Sequence, residues 1–310
     1  MSGERGDRDA TASDAVSGGG AAEGAQPPRP GHRVSRRALL IGAGAAVAAG
    51  AAGVPIAASL WPRPPVEAMR RAVPFTIAHR GGSADWPEMS AYAYGRSVSF
   101  GVNALEMSVS RTADGVWCGV HDGTLDRTSG TTGFNVAEHT WDEVRRHLID
   151  PPPGRRHQPR RPYWRLADLI DRYHSSHALW IDPKAVAQRF YAELMSVLVG
   201  SVPKPAEVFV AKSGAENGPW AELAEVHGIE SWGFYYGRQL DADPDFFART
   251  QRPWTMLGLD VGASAAHWRS FTADGRPVVA HVLATDSARR TALRRGAAGL
   301  MIAGVEEILG

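Results

Sequence analysis

The sequence predicts an α/β chain folded as a (β/α)8 TIM barrel, with a loop insertion after the second strand. Three observations carry that expectation. Short β-rich runs alternate with helical patterns from about Pro74 onward, the signature of a parallel sheet covered by helices. Eight such units in about 240 residues match a barrel of this kind in count and size. Polar side chains able to do chemistry recur at the C-terminal ends of the runs, the face on which such barrels carry their active sites. A doubly wound sheet is the alternative arrangement.

The expected strands are residues 75–78, 104–109, 178–182, 207–211, 231–235, 254–260, 277–284 and 299–302. Helices are expected between them. Residues 186–199 place Phe190, Leu194 and Leu198 at helical spacing, and residues 287–295 end in arginines that suit a helix C-terminus. Val116 to Val120 follow the turn signal Ala113, Asp114 and Gly115, so this stretch should pair back on the second strand as a hairpin. The irregular section 123–161, with its three prolines at Pro151, Pro152 and Pro153, reads as a loop insertion. Its arginines Arg155, Arg156, Arg160 and Arg161 read as solvated surface. Cys118, the single cysteine, excludes an intrachain disulfide or a thiolate metal cluster and reads as a small core residue.

Lys and Arg number 34 against 33 Asp and Glu, a net charge of +1 that gives no reason to expect a nucleic-acid partner. Residues 1–34 are poor in large apolar side chains and read as a disordered N-terminal arm. Residues 35–61 begin with Ser35, Arg36 and Arg37 and continue as an uncharged Ala/Gly-rich stretch. They read as a twin-arginine-like signal or a single membrane anchor. The expected location is therefore extracytoplasmic, secreted or anchored with the barrel (74–310) outside, and the expected partners of the leader are the export machinery or the membrane.

The chemistry is legible in the order of a few residues. His79 and Arg80 close the first strand, Glu106 and Ser108 share a face near the end of the second, His121 and Asp122 close the hairpin, and Asp182 and Lys184 follow the third. Lys212, Ser213, Tyr235, Asp260, Thr285 and Asp286 extend the pattern around the mouth. Paired imidazoles can take and give protons near neutral pH. Arg80 and Lys184 suit the oxygens of a phosphodiester and the charge that builds on them during attack. Carboxylates at Glu106 and Asp182 suit a hard divalent cation, Ca2+ or Mg2+, acting as Lewis acid. Asp122 beside His121 either fixes a tautomer or binds a substrate hydroxyl.

These residues, with Gly81, Gly82, Pro87, Glu88, Leu105, Met107, Arg111 to Gly115, Leu125 to Thr128 and Gly133, resemble the glycerophosphodiester phosphodiesterases in spacing and order. The likeness is strong over residues 75–135 and weaker beyond. Leu166 to Ile170 looks like that family's helix before the third strand, and Gly296 to Ile302 like its final strand. The resemblance implies a metal-assisted barrel that hydrolyses glycerophosphodiesters to sn-glycerol 3-phosphate and an alcohol. His79 and His121 would be the acid and base, and Arg80 and Lys184 the phosphate ligands. Glu106 and Asp182 would be the metal ligands, and Glu88 and Asp122 would contact substrate or orient the others. In that family the substrate's own glycerol hydroxyl is thought to attack first.

The sequence also departs from the family. Ser108 stands where the family carries an aspartate metal ligand, Met89 where it has asparagine, Asp182 for glutamate, and Ala303 and Gly304 for an acidic strand ending. A neutral hydroxyl is a poorer ligand for a hard cation. The expectation is thus a divergent hydrolase with a weakened or rearranged metal site and reduced turnover. The alternatives are a noncatalytic phosphodiester-binding barrel and a phospholipase D-type enzyme acting on intact lipids.

Overall fold

In the computed structural model, which describes residues 62–310, all eight expected strands are present. The expected N-terminal arm (1–34) and signal or anchor (35–61) lie outside the described residues. The barrel strands are β1 (Phe75–Ala78), β2 (Ala104–Arg111), β6 (Ala178–Asp182), β7 (Phe209–Gly214), β8 (Glu230–Tyr235), β9 (Met256–Asp260), β10 (Val278–Leu283) and β11 (Gly299–Ile302). Every neighbouring pair is parallel, and β1 pairs with both β2 and β11, which closes the sheet on itself. This is the predicted barrel rather than a doubly wound sheet.

The alternation of side chains sorts each strand into an inner and an outer face. Inward, Phe75, Ile77, Trp180, Val210, Trp232, Met256, Val279 and Met301 fill the barrel interior. Val66 and Met69 from the helix Pro65–Arg71 join that cluster, and Trp180 Nε1 lies 3.3 Å from Met69 Sδ. Outward, Leu105, Met107, Leu179, Ile181, Phe209 and Leu257 pack against the surrounding helices. Space inside is tight: a Cβ on Gly258 would lie 2.4 Å from the Trp232 indole, so only glycine lets β9 pass that ring.

Between β2 and β6 the chain leaves the barrel. Strand β3 (Trp117–Gly119) pairs antiparallel with β2, as expected for the hairpin. The insertion beyond it is more ordered than a loop: β4 (Leu148–Ile149) and β5 (Arg161–Pro162) pair antiparallel, and Cys118, Val120, Leu125, Val136, Val144, Ile149 and Tyr163 form a separate apolar cluster. Its apolar residues are spread over some forty positions without a period, so sequence pattern alone gave no sign of it. The arginine run is likewise engaged rather than simply solvated. Arg155 pairs with Glu306 at 3.0 Å and Asp85 at 3.4 Å, Arg160 pairs with Asp150 at 2.6 Å, and the Arg161 guanidinium lies 4.0 Å from the centre of the Tyr92 ring.

Candidate active site

Because all eight barrel strands run parallel, their C-terminal ends share one rim, and the inward residues there form the site. The first contributor is a tight turn. His79–Gly81 is one turn of 3-10 helix directly after β1, with Arg80 in the left-handed region at φ 49°. Two contacts hold that unfavourable backbone: the Arg80 amide donates to Glu106 Oε2 at 2.6 Å, and its carbonyl accepts from the Met89 amide at 2.7 Å. Met89 is itself left-handed at φ 55°, a conformation that asparagine adopts more readily than methionine. Gly82, at φ +88°, has no room for a side chain, since a Cβ would lie 2.7 Å from the buried Trp86 ring.

At the centre lies an ionic cluster on three adjacent strands. Lys212 Nζ sits 2.5 Å from Asp182 Oδ2 and 3.2 Å from Glu106 Oε1, and Ser108 Oγ donates to that same Glu106 oxygen at 2.8 Å. Glu106, Ser108 and Asp182 are fully buried and Lys212 is nearly so. Burial alone would raise the Glu106 carboxyl, but Lys212, His79 and Arg80 reverse this and hold it at about 2. Burial also works against the Lys212 ammonium; Asp182 and Glu106 outweigh it and hold its pKa above the ordinary lysine value.

The second histidine arrives by the hairpin. Strand β3 runs back along β2 with Gly119 opposite Val109, and Ser110 Oγ donates to the carbonyls of Val120 (3.0 Å) and Asp122 (3.4 Å), fixing the segment that carries His121. His121 Nδ1 lies 2.7 Å from Asp122 Oδ1. Asp122 in turn accepts from Arg127 Nε at 2.6 Å, Arg127 forks onto Glu88 at 2.8 and 3.1 Å, and Glu88 accepts from Arg80 Nη1 at 3.3 Å. Glu88 and Asp122 are thus joined through Arg127 into one hydrogen-bonded chain that runs from His121 to Arg80. His79 Nδ1 lies 3.3 Å from Ser83 Oγ. Desolvation lowers the pKa of both histidines, reinforced at His79 by Arg80 and Lys212 and at His121 by Arg80. Glu106 opposes this at His79, and Asp122 opposes it at His121.

His79, Arg80, His121, Lys184 and Lys212 line one cavity of about 30 Å3, with Trp232, Phe234, Tyr236 and His281 completing its wall. Lys184 is exposed, with its Nζ 4.8 Å from the centre of the Phe234 ring. That volume is about one water's worth. A larger cavity of about 480 Å3 lies among Arg127, Asp150, Pro151, Pro153, Arg156, Gln158 and Arg160, and contains neither histidine.

Several groups expected at the mouth are elsewhere. Tyr235 points outward and its hydroxyl meets Thr250 Oγ1 at 3.1 Å; the adjacent Tyr236 lines the cavity instead. Ser213 also faces out, toward Asn217 at 2.9 Å. Asp260 binds the Gly237 amide at 2.5 Å. Thr285 caps the helix Asp286–Arg294, and Asp286 takes Arg289 and Arg290. The two-residue side-chain period of a strand and the capping need of a helix start decide these positions. Conversely, β7 runs to Gly214 rather than ending at 211, which puts Lys212 inside the barrel wall.

The expected metal ligands do not fit a divalent cation. Glu106 and Asp182 do converge, but on Lys212. Three of their four oxygens are engaged: Glu106 Oε1 by Lys212 and Ser108, Glu106 Oε2 by Arg80, and Asp182 Oδ2 by Lys212. Only the buried Asp182 Oδ1 lacks a partner. Among the described residues, no three His, Cys, Asp or Glu side chains are grouped to hold a metal. One free oxygen is far short of the six or more that Ca2+ or Mg2+ takes.

Residues 79–189 match the model of the glycerophosphoryl diester phosphodiesterase family. A glycerophosphodiester phosphodiesterase of Caldanaerobacter subterraneus is 39% identical over 70 residues, 23% of this chain and 28% of that protein. Glycerophosphodiester phosphodiesterase 1 of Homo sapiens is 37% identical over 70 residues, 23% of this chain and 21% of that protein. The matched segment thus spans about a quarter of the length of these curated relatives. The barrel superposes on a phosphodiesterase of Oleispira antarctica, solved with its product sn-glycerol-3-phosphate, with TM-score 0.61 and 18% identity, covering 76% of this chain and 95% of that one. It also superposes on a glycerophosphodiester phosphodiesterase of Thermotoga maritima with TM-score 0.58 and 17% identity, covering 76% and 97%.

Proposed function

We propose that the chain is a member of the glycerophosphoryl diester phosphodiesterase family, whose model matches residues 79–189, and that it hydrolyses glycerophosphodiesters to sn-glycerol 3-phosphate and an alcohol. The observation that carries this reading is the single cavity lined by His79, His121, Arg80 and Lys184. Two imidazoles and two cations at one mouth supply acid, base and anion recognition together. The Arg80 Nε–H is buried without an acceptor among the described residues, which supports a role in holding a phosphate oxygen.

The charge distribution assigns work to each group. Lowered pKa values keep both histidines neutral at pH 7 in the free protein, so one is ready to take the proton of an attacking hydroxyl. The phosphodiester brings a negative charge beside the other, which favours its protonation and lets it donate to the leaving alkoxide. Asp122 holds the His121 ring with its Nδ1 engaged and Nε2 free, and Glu88 aims Arg80.

Turnover of glycerophosphocholine by the purified protein tests this. Wild type should exceed His79→Ala and His121→Ala by about 100-fold or more, the usual scale of acid–base catalysis. A wild type no faster than the double variant overturns the hydrolase reading and leaves phosphodiester binding. An extracytoplasmic location, carried by residues 35–61, belongs to the same proposal and is tested by fractionation. Shortened protein in the medium indicates cleavage and full-length protein in the membrane an anchor; full-length protein in the cytosol refutes export.

A further inference from the structure

We propose that Lys212 is the resident cation of this barrel: its ammonium occupies the seat between Glu106 and Asp182, and the mouth handles an anionic phosphodiester without a divalent metal. The placement of Lys212 stands on geometry alone; the metal-free handling of substrate rests on the hydrolase reading above.

The strand register builds the seat. Ser108 lies opposite Asp182 across β2 and β6, and Ala211 lies opposite Ile181 across β6 and β7, so Lys212 comes level with Asp182. Ser108, Asp182 and Lys212 face inward with Glu106, where a lysine on the barrel wall reaches both carboxylates without spanning solvent. With its side chain only 5% exposed, the ammonium has no aqueous position to retreat to if another cation arrives. A divalent ion would have to enter beside a fixed positive charge, with Asp182 Oδ1 as its one open carboxylate oxygen.

Ser108 and Lys212 are mutually consistent. An anionic side chain at 108 would add a third buried negative charge facing Glu106, whereas the hydroxyl donates to Glu106 Oε1 and leaves two carboxylates against one ammonium. A metal site needs the opposite balance, an excess of anionic oxygens waiting for a double charge. The same ammonium lines the cavity with His79, Arg80, His121 and Lys184, so it adds a fixed positive charge where a phosphodiester binds.

The test begins with wild-type protein stripped by EDTA and titrated with Mn2+, Ca2+ and Mg2+ by calorimetry, with Mn2+ also followed by electron paramagnetic resonance. We expect no saturable stoichiometric binding and no movement of the thermal midpoint. Lys212→Met should gain saturable Mn2+ binding and a Mn2+-dependent rise in its thermal midpoint. Binding of one Mn2+ by wild type that is lost in Glu106→Gln overturns the proposal. So does a folded Lys212→Met that takes up no Mn2+. If Lys212→Met does not fold with or without metal, the wild-type titration decides alone. Glycerophosphocholine turnover separates the two readings: activity unchanged within about twofold by EDTA supports both. Activity that needs added metal overturns the inference and keeps the hydrolase. No activity under any condition overturns the hydrolase, and the titration then decides the placement of Lys212.

Discussion

Lowering the pH should expose the cost of burying His281. This side chain is 2% exposed on the inner face of β10, against Trp232, Phe234 and Tyr236, with Nε2 3.0 Å from the Tyr235 carbonyl. Burial is the main reason its pKa falls to about 3; the Tyr235 carbonyl pulls the other way, and Lys212 and Lys184 push it down further. The folded state therefore resists protonation that the unfolded chain accepts at about 6.5. Because the unfolded chain binds more protons, stability is lost as pH falls below about 6.5, and the loss continues until about pH 3. Each unit in that window costs about 1.4 kcal/mol, so moving from pH 7 to about 4.5 removes roughly 2–3 kcal/mol through this residue alone. His281→Gln keeps an N–H for the Tyr235 carbonyl and removes the titration. Urea unfolding of both proteins at the two pH values should give wild type the larger loss, by about 2–3 kcal/mol, since other acid-sensitive groups cancel in the difference. Parallel losses within about 0.5 kcal/mol would refute the argument.

The same reasoning fixes other outcomes. The acid limb of the kcat/KM profile should have its midpoint below the ordinary histidine value of 6.5, because the base stays neutral to lower pH. Asp122→Asn should lower the His121 midpoint further, as followed by NMR titration, since Asp122 is the main group that raises it; the acid limb of the profile moves with it where His121 is the base. Glu88→Gln takes away the carboxylate shared by Arg80 and Arg127, and steady-state kinetics should show kcat/KM down by about 2 kcal/mol, roughly thirtyfold. Gly82→Ala forces a side chain into the left-handed region and against Trp86. Chemical denaturation should report a loss of about 2–4 kcal/mol.

Much of this protein was legible before folding. Periodicity and turn residues located the barrel strands, because a buried parallel strand leaves a short apolar run whatever its neighbours are. The starts of β1, β6 and β11 agree with the structure to the residue. Motif order likewise located His79, Arg80, Glu88, Glu106, His121 and Asp122, since these lie close in sequence on β1, β2 and the hairpin that follows. Tyr235, Ser213 and Thr285 were misplaced for a local reason: one residue of strand phase, or a helix cap, sends a polar side chain away from the mouth, while Asp260 is taken up by the Gly237 amide at a helix start.

What only the tertiary structure decided is the character of the central cluster. The sequence by itself determined that Glu106 and Asp182 would reach one rim, and that Ser108 is a poor metal ligand. It did not reveal that Lys212, thirty residues beyond Asp182, stands between the two carboxylates. That depends on β7 running three residues past its expected end and on register across three adjacent strands. Lys184, close to Asp182 in sequence and expected beside it, lies instead exposed at the mouth near Phe234. Local sequence fixes which way a side chain faces along its own strand. Which charge sits opposite it is set by hydrogen-bonded register between strands far apart in the chain, and here that register puts an ammonium where metal chemistry was expected.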